Sequence, residues 1–88
     1  MDRLETTTAR QIKYIVEYGQ YMNKEYKIKL LNLVMNYIID EEKDRNIIIQ
    51  ESKAGLYIKL DELDDDIILN LYNVVYNRIK VLNTKLAV

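Results

Sequence analysis

Cysteine, histidine, tryptophan, phenylalanine and proline are all absent from the chain. Without cysteine there is no disulfide and no thiolate zinc site, which fits a reducing, intracellular compartment. Without histidine or cysteine, and with Ser52 as the only serine, a nucleophile with its base cannot be assembled. A carboxylate pair doing acid–base work would need a cleft that shifts one pKa, which a small helical domain rarely encloses. The chain is therefore not read as an enzyme. Gly19 and Gly55 are the only glycines, too few for a phosphate-cradling loop. No apolar run approaches the roughly 18 residues of a membrane span, and the N-terminus has no apolar signal region. Charge of either sign is not in excess: 13 basic residues face 14 acidic ones, for a net −1. That balance lacks the bulk footprint of a nucleic-acid binder. No cofactor and no metal are expected.

What remains is a chain of 88 residues in which 49% are hydrophobic. This is one domain. Its apolar content argues against disorder, and a domain near this size buries roughly 60–65% of its unfolded surface. Eight tyrosines supply every aromatic ring. The surplus of Ile, Asn, Tyr and Lys matches coding by an AT-rich genome, as in some viruses.

Residues 1–7 read as a loose N-terminal segment, 8–83 as the domain and 84–88 as a tail. The spacing of Ile12, Ile15, Val16, Gly19 and Met22 predicts a first helix over about 8–22. Thr8 and Gln11 form a capping-box pattern at its start. Tyr14, Tyr18 and Tyr21 make a stripe, read first as half-buried packing and second as a partner surface. Asn23 suits the break or cap before the next helix. There, Glu25, Lys29, Asn32, Asn36, Asp40 and Lys43 form a polar stripe. Leu30, Leu31, Val34, Met35, Ile38 and Ile39 lie opposite, an apolar arc wide enough for two neighbours.

The helical pattern stops over 43–55. The run Ile47–Ile49 is β-branched and favours extended structure. "LYIKL", residues 56–60, alternates like a short strand. It can stand alone or pair with "NIIIQ", residues 46–50, in a hairpin joined by "ESKAG". A last helix follows, with Asp64 as its N-cap and Leu63 and Ile68 as a hydrophobic staple. Asp65 and Asp66 sit in its first turn, where the helix dipole favours negative charge. Ile68, Leu71, Tyr72, Val75, Ile79 and Leu82 form its buried face, and Arg78, Lys80 and Lys85 lie toward its C-terminal end. The acids Asp61 to Asp66 thus have a structural explanation. They lack the D-x-D-x-D-G spacing of a calcium loop. The fold class is mainly α: a small three-helix domain with a short strand or hairpin between the second and third helices.

Three stretches carry a family likeness. "LNLVMNYI" (31–38), "LYIKLDEL" (56–63) and "IILNLYNVV" (67–75) resemble, in order and spacing, the extraterminal (NET or ET) domain of the BET chromatin proteins. That family has an L-x-x-V-V-x-I-I helix core, then a polar loop and a strand of E-I-E-I-D type. An acidic turn and an L-x-x-L-x-x-Y-V helix follow. The likeness covers about residues 28–80. It implies a module, nuclear or cytoplasmic, that binds a linear peptide, typically alternating lysine and hydrophobic residues, of a chromatin- or transcription-associated partner. The peptide adds to the strand beside an inter-helix groove. Carried over by position, the peptide site would be Leu31, Val34, Met35 and Ile38 with Leu56, Tyr57, Ile58, Lys59, Leu60 and Asp61. Two departures concern the ligand. Tyr57 and Lys59 stand where the family has acids, and the family's proline turn before the second helix is missing. The alternative reading is a homodimeric structural or assembly protein, joined through the tyrosine stripe or the strand edge. Neither reading calls for direct nucleic-acid or membrane contact.

Overall fold

The structure, a computed structural model, describes residues 7–86. Apart from Thr7, the expected loose segment 1–7 lies outside the described residues, as do the last two residues of the tail. The chain is mainly helical: α1 (Thr7–Gly19), α2 (Lys24–Asp40), a single turn α3 (Arg45–Ile48), the hairpin β1 (Ile49–Ser52) and β2 (Gly55–Ile58), and α4 (Asp65–Leu86). A 3-10 turn, Leu60–Glu62, links the hairpin to α4. The expected architecture is therefore present, with the hairpin in place of a lone strand and one extra helical turn before it. No helix among the described residues is long and apolar enough to cross a membrane.

The 22 residues of α4 form a rod about 33 Å long at about 1.5 Å per residue. It is the element on which the domain is built, since both α1 and α2 pack chiefly against it. Ile68, Leu71 and Val75 fall at helical spacing and are completely buried, together with Val34 of α2. Ile38, Ile15, Met22, Ile48, Ile49, Leu63 and Ile67 complete one core. Both members of the expected staple, Leu63 and Ile68, are thus inside. The polar stripe of α2 is exposed as expected. Ile39 is too, because it falls at the rim of the apolar arc, beyond the reach of α4.

The helix ends depart from expectation: α1 stops at Gly19 rather than near residue 22, α4 continues to Leu86 into the expected tail, and two start signals act differently. Thr8 does not open α1: the helix already includes Thr7, so the Thr8–Gln11 box cannot cap it. Asp64 occupies the N-cap position of α4, its carbonyl accepting the Ile68 N–H at 3.1 Å. Its carboxylate caps no amide among the described residues. It lies 3.8 Å from the Lys43 ammonium, and its backbone N–H donates to the Tyr37 hydroxyl at 3.4 Å. A cation and a phenol compete with the amides for the same oxygens and hold the side chain toward α2. Asn23 does cap α2, accepting the Tyr26 N–H on Oδ1 at 3.1 Å.

α2 ends in a Schellman motif. Lys43 N–H donates to Ile38 O at 2.9 Å and Glu42 N–H to Ile39 O at 3.3 Å. Such a motif needs one left-handed residue, and here it is Glu42, at φ 53°. A side chain in that region costs about 1–2 kcal/mol. Glu42→Gly is expected to stabilise the domain by about 1 kcal/mol. Chemical denaturation would show this as a higher midpoint with an unchanged slope.

The isoleucine run does not form strand throughout. Asp44 caps α3 by accepting the Asn46 N–H at 2.9 Å, so Ile47 and Ile48 are helical and only Ile49 is in β1. The reason is geometric. Ile48 and Ile49 are both buried, whereas consecutive strand residues point to opposite faces. A helical turn followed by a strand lets two neighbours enter the same core. In the hairpin, Ile49 pairs with Ile58, Gln50 with Tyr57, Glu51 with Leu56 and Ser52 with Gly55. The tight connection is Lys53–Ala54, where the Ser52 hydroxyl accepts the Ala54 N–H at 3.2 Å. Neither loop residue has positive φ; Gly55 takes that conformation instead, at 137°. A side chain there would meet no neighbour, so backbone conformation is what requires glycine.

Candidate functional site

α1 turns only part of its apolar surface to α4. Its Tyr14–Tyr18 side makes that contact, with Tyr14 4.5 Å from Tyr18, 5.1 Å from Tyr72 and 6.0 Å from Tyr76 between ring centroids. Tyr72 and Tyr76 stack at 5.7 Å. Tyr14 and Tyr18 are half-buried against the core, the packing role expected of the stripe, and Tyr21 stays exposed. Burial raises the Tyr14 pKa above the usual 10.0, and the neighbouring tyrosines add to it. Tyr37 is raised by burial and by the Asp64 carboxylate beside its hydroxyl, which outweigh the lowering effect of the Asp64 N–H donated to it. A phenol with a raised folded-state pKa binds its proton more tightly when folded. Its contribution is complete below pH 10.0 and is lost as pH rises through the higher folded value. Base-induced unfolding above that pH is expected to weaken in a Tyr14→Phe, Tyr37→Phe double variant. A pH series of thermal melts checks this.

The rest of the apolar side of α1 faces an open groove. Ile15, Val16, Gly19 and Gln20 form one wall, Lys24, Lys27, Ile28, Leu30 and Leu31 of α2 the second, and Leu56, Tyr57, Ile58 and Leu60 the third. Its volume is about 670 Å³, within the roughly 300–1,000 Å³ of ligand clefts. Val16 is 63% exposed, Leu56 50%, Tyr57 52% and Ile28 47%. Scattered exposed apolar residues need no explanation, but a contiguous apolar patch does.

The strand wall also offers backbone. Lys59 N–H donates to Ile48 O at 2.8 Å, so Lys59 is turned toward β1. In an antiparallel pair this direction alternates from residue to residue. Tyr57 and Gly55 therefore also turn their amides to β1. The N–H and C=O groups of Leu56 and Ile58 point the other way. The sheet has two strands, and no backbone partner for these groups is found among the described residues. The hairpin thus fills one edge of β2 and leaves the second open.

Of the residues expected at a peptide site, the structure brings Leu31, Leu56, Tyr57, Ile58 and Leu60 together in the groove. Val34 and Ile38 are not on its wall; they are core residues, 0% and 6% exposed, closed to a ligand in this conformation. The α4 helix claims that side of α2. Met35 is half-buried against the core. Lys59 and Asp61 are exposed beside the groove's strand wall, Asp61 within the 3-10 turn. The wall contributed by α1, and Lys24, Lys27, Ile28 and Leu30 in the first half of α2, were not among the expected site residues. Val16 beside Gly19 was the available signal, an apolar arc broader than one neighbour covers.

A second cleft of about 420 Å³ lies between the end of α2 and the start of α4. Asp40, Glu41, Asp64 and Asp66 line it with Tyr37. No group of three or more potential ligands able to hold a metal occurs among the described residues. No protein-family model, curated protein or solved structure matches the chain.

Proposed function

We propose that this domain is a protein-interaction module that takes a short linear peptide into the groove between α1, α2 and β2, the peptide adding to β2 as a strand. The observation that carries this is the open edge of β2, where the outward N–H and C=O groups of Leu56 and Ile58 have no backbone partner among the described residues, alongside a contiguous apolar groove. Backbone pairing would supply affinity, and alternate side chains entering the groove would supply specificity. The likeness to extraterminal domains agrees with this reading and adds a class of partner, proteins of chromatin or transcription. Here the hairpin makes any added segment the third strand of a sheet.

Peptides selected from a random display library tested against the domain, then followed by NMR, test the reading. Expected amide shifts are confined to residues 15–31 and 55–61. N-methylation at alternate peptide positions should abolish binding in one register and spare it in the other, since only one set of amides faces β2. Binding indifferent to N-methylation in both registers would remove strand addition. A mass that rises with concentration, with no peptide selected, would make the groove a contact between two copies of the chain.

A further inference from the structure

The net charge of −1 conceals a separation of charge. Acids line the cleft between α2 and α4: Asp40, Glu41, Asp64 and Asp66. The groove beside β2 has no carboxylate on its walls, but it has two ammonium groups, Lys24 and Lys27. Lys59 follows Ile58 at the end of the open strand. The ion pairs found among the described residues are Lys43–Asp64 and Arg45–Glu51, so these three lysines have no acidic partner there. We infer that the groove selects an acidic segment of a partner protein, one in which Asp or Glu alternates with aliphatic residues. The inference rests on the strand-addition reading above and names its ligand class.

The argument is one of complementarity. An added strand presents every second side chain to one face. Its apolar set would meet Val16, Ile28, Leu31 and Leu56, and its other set would lie near the rim, where the lysines are. Like charges brought together at an interface are penalised, and opposite ones set preference and on-rate. A lysine-alternating segment, the ligand type of the resembled family, would meet Lys24 and Lys27 on the wall with no carboxylate there; beside the strand wall Lys59 and Asp61 offset each other. A nucleic acid fits less well. Unpaired strand amides and an apolar floor do not match a phosphate backbone, whose binding needs an extended set of cations.

Three synthetic nonapeptides test this on the full chain by fluorescence anisotropy. Each carries Ile or Leu at alternate positions, with Glu, Lys or Thr between. The glutamate peptide is expected to bind about tenfold tighter than the lysine peptide at low salt, the scale of two or three exposed pairs. The gap should narrow as salt shortens the Debye length. Lys24→Glu, Lys27→Glu replaces two exposed side chains and should reverse the order while circular dichroism stays unchanged. A lysine peptide that binds tighter to the unaltered chain would overturn the charge inference and leave strand addition standing. No binding by any of the three would count against strand addition itself. An unreversed order in a folded double variant would remove Lys24 and Lys27 from selection. A short single-stranded oligonucleotide that outcompetes the glutamate peptide would overturn the proposal in favour of a nucleic-acid ligand.

Discussion

Leu71→Ala is expected to lower the unfolding free energy by about 2–5 kcal/mol, the range for a buried leucine truncated to alanine. Leu71 is 1% exposed and lies in the stretch of α4 that buries Ile68 and Val75 as well. Both α1 and α2 pack chiefly against α4. The void would therefore open where three helices share one core. At about 0.05–0.15 kcal/mol per residue, 88 residues carry about 4–13 kcal/mol in total. One truncation can thus remove a large part of the stability. Urea unfolding followed by circular dichroism measures it. Val75→Ala deletes two methyl groups from the same core and should lose less, about 1–3 kcal/mol. A midpoint unchanged by either variant would contradict the central place of α4.

The second large effect concerns ligand binding. Ile58→Glu should weaken the glutamate peptide by about 100-fold or more, because a carboxylate placed in an apolar groove must give up its hydration. Ile58 also pairs with the buried Ile49, so this variant can lose its fold. Leu56→Glu separates the two outcomes. Leu56 is half exposed and lines the groove from the same face of β2, so a charge there stays hydrated in the free protein. Its loss of affinity should be comparable, with the melting temperature held. Wild-type affinity in the Leu56→Glu protein would exclude the strand wall from recognition.

Much of this architecture is written in periodicity. α2 and α4 follow from apolar residues recurring every three or four positions, and Asn23 is a cap because a short polar side chain there reaches the Tyr26 amide. The alternation of "LYIKL" marks β2 but runs past its end at Ile58, since Leu60 opens the 3-10 turn. The failures share one cause: local pattern does not say which neighbour arrives. Ile47–Ile49 has strand propensity, but the core receives two adjacent isoleucines and so forces a helical turn before β1. Asp64 has the cap residue type and the cap position, but Tyr37 and Lys43, brought near by tertiary packing, hold its carboxylate. Ile39 belongs to the apolar arc of α2 by spacing and is exposed because α4 does not extend across it. The candidate site was half legible. Its strand wall and Leu31 are in the alternation and the helix pattern. The α1 wall was hidden because the spacing of Ile15, Val16 and Gly19 marks a helix without saying which side of it a neighbour leaves uncovered.

The pairing of α1 with α4 has a consequence for biosynthesis. The first helix to be made packs against the last. At about 5–20 residues per second, the 67 residues from Gly19 to Leu86 take about 3–13 s to synthesise. Throughout that interval Ile15 lacks a complete α4 to cover it, as do Val34 and Ile38 once they are made. The hairpin, whose pairing is local, can close early, and on its free edge it resembles the finished protein. A nascent chain of this domain can therefore expose an open strand edge before it owns a core. Folding waits on the arrival of α4, and until then the free edge of β2 is the kind of unpaired strand that invites pairing with another chain.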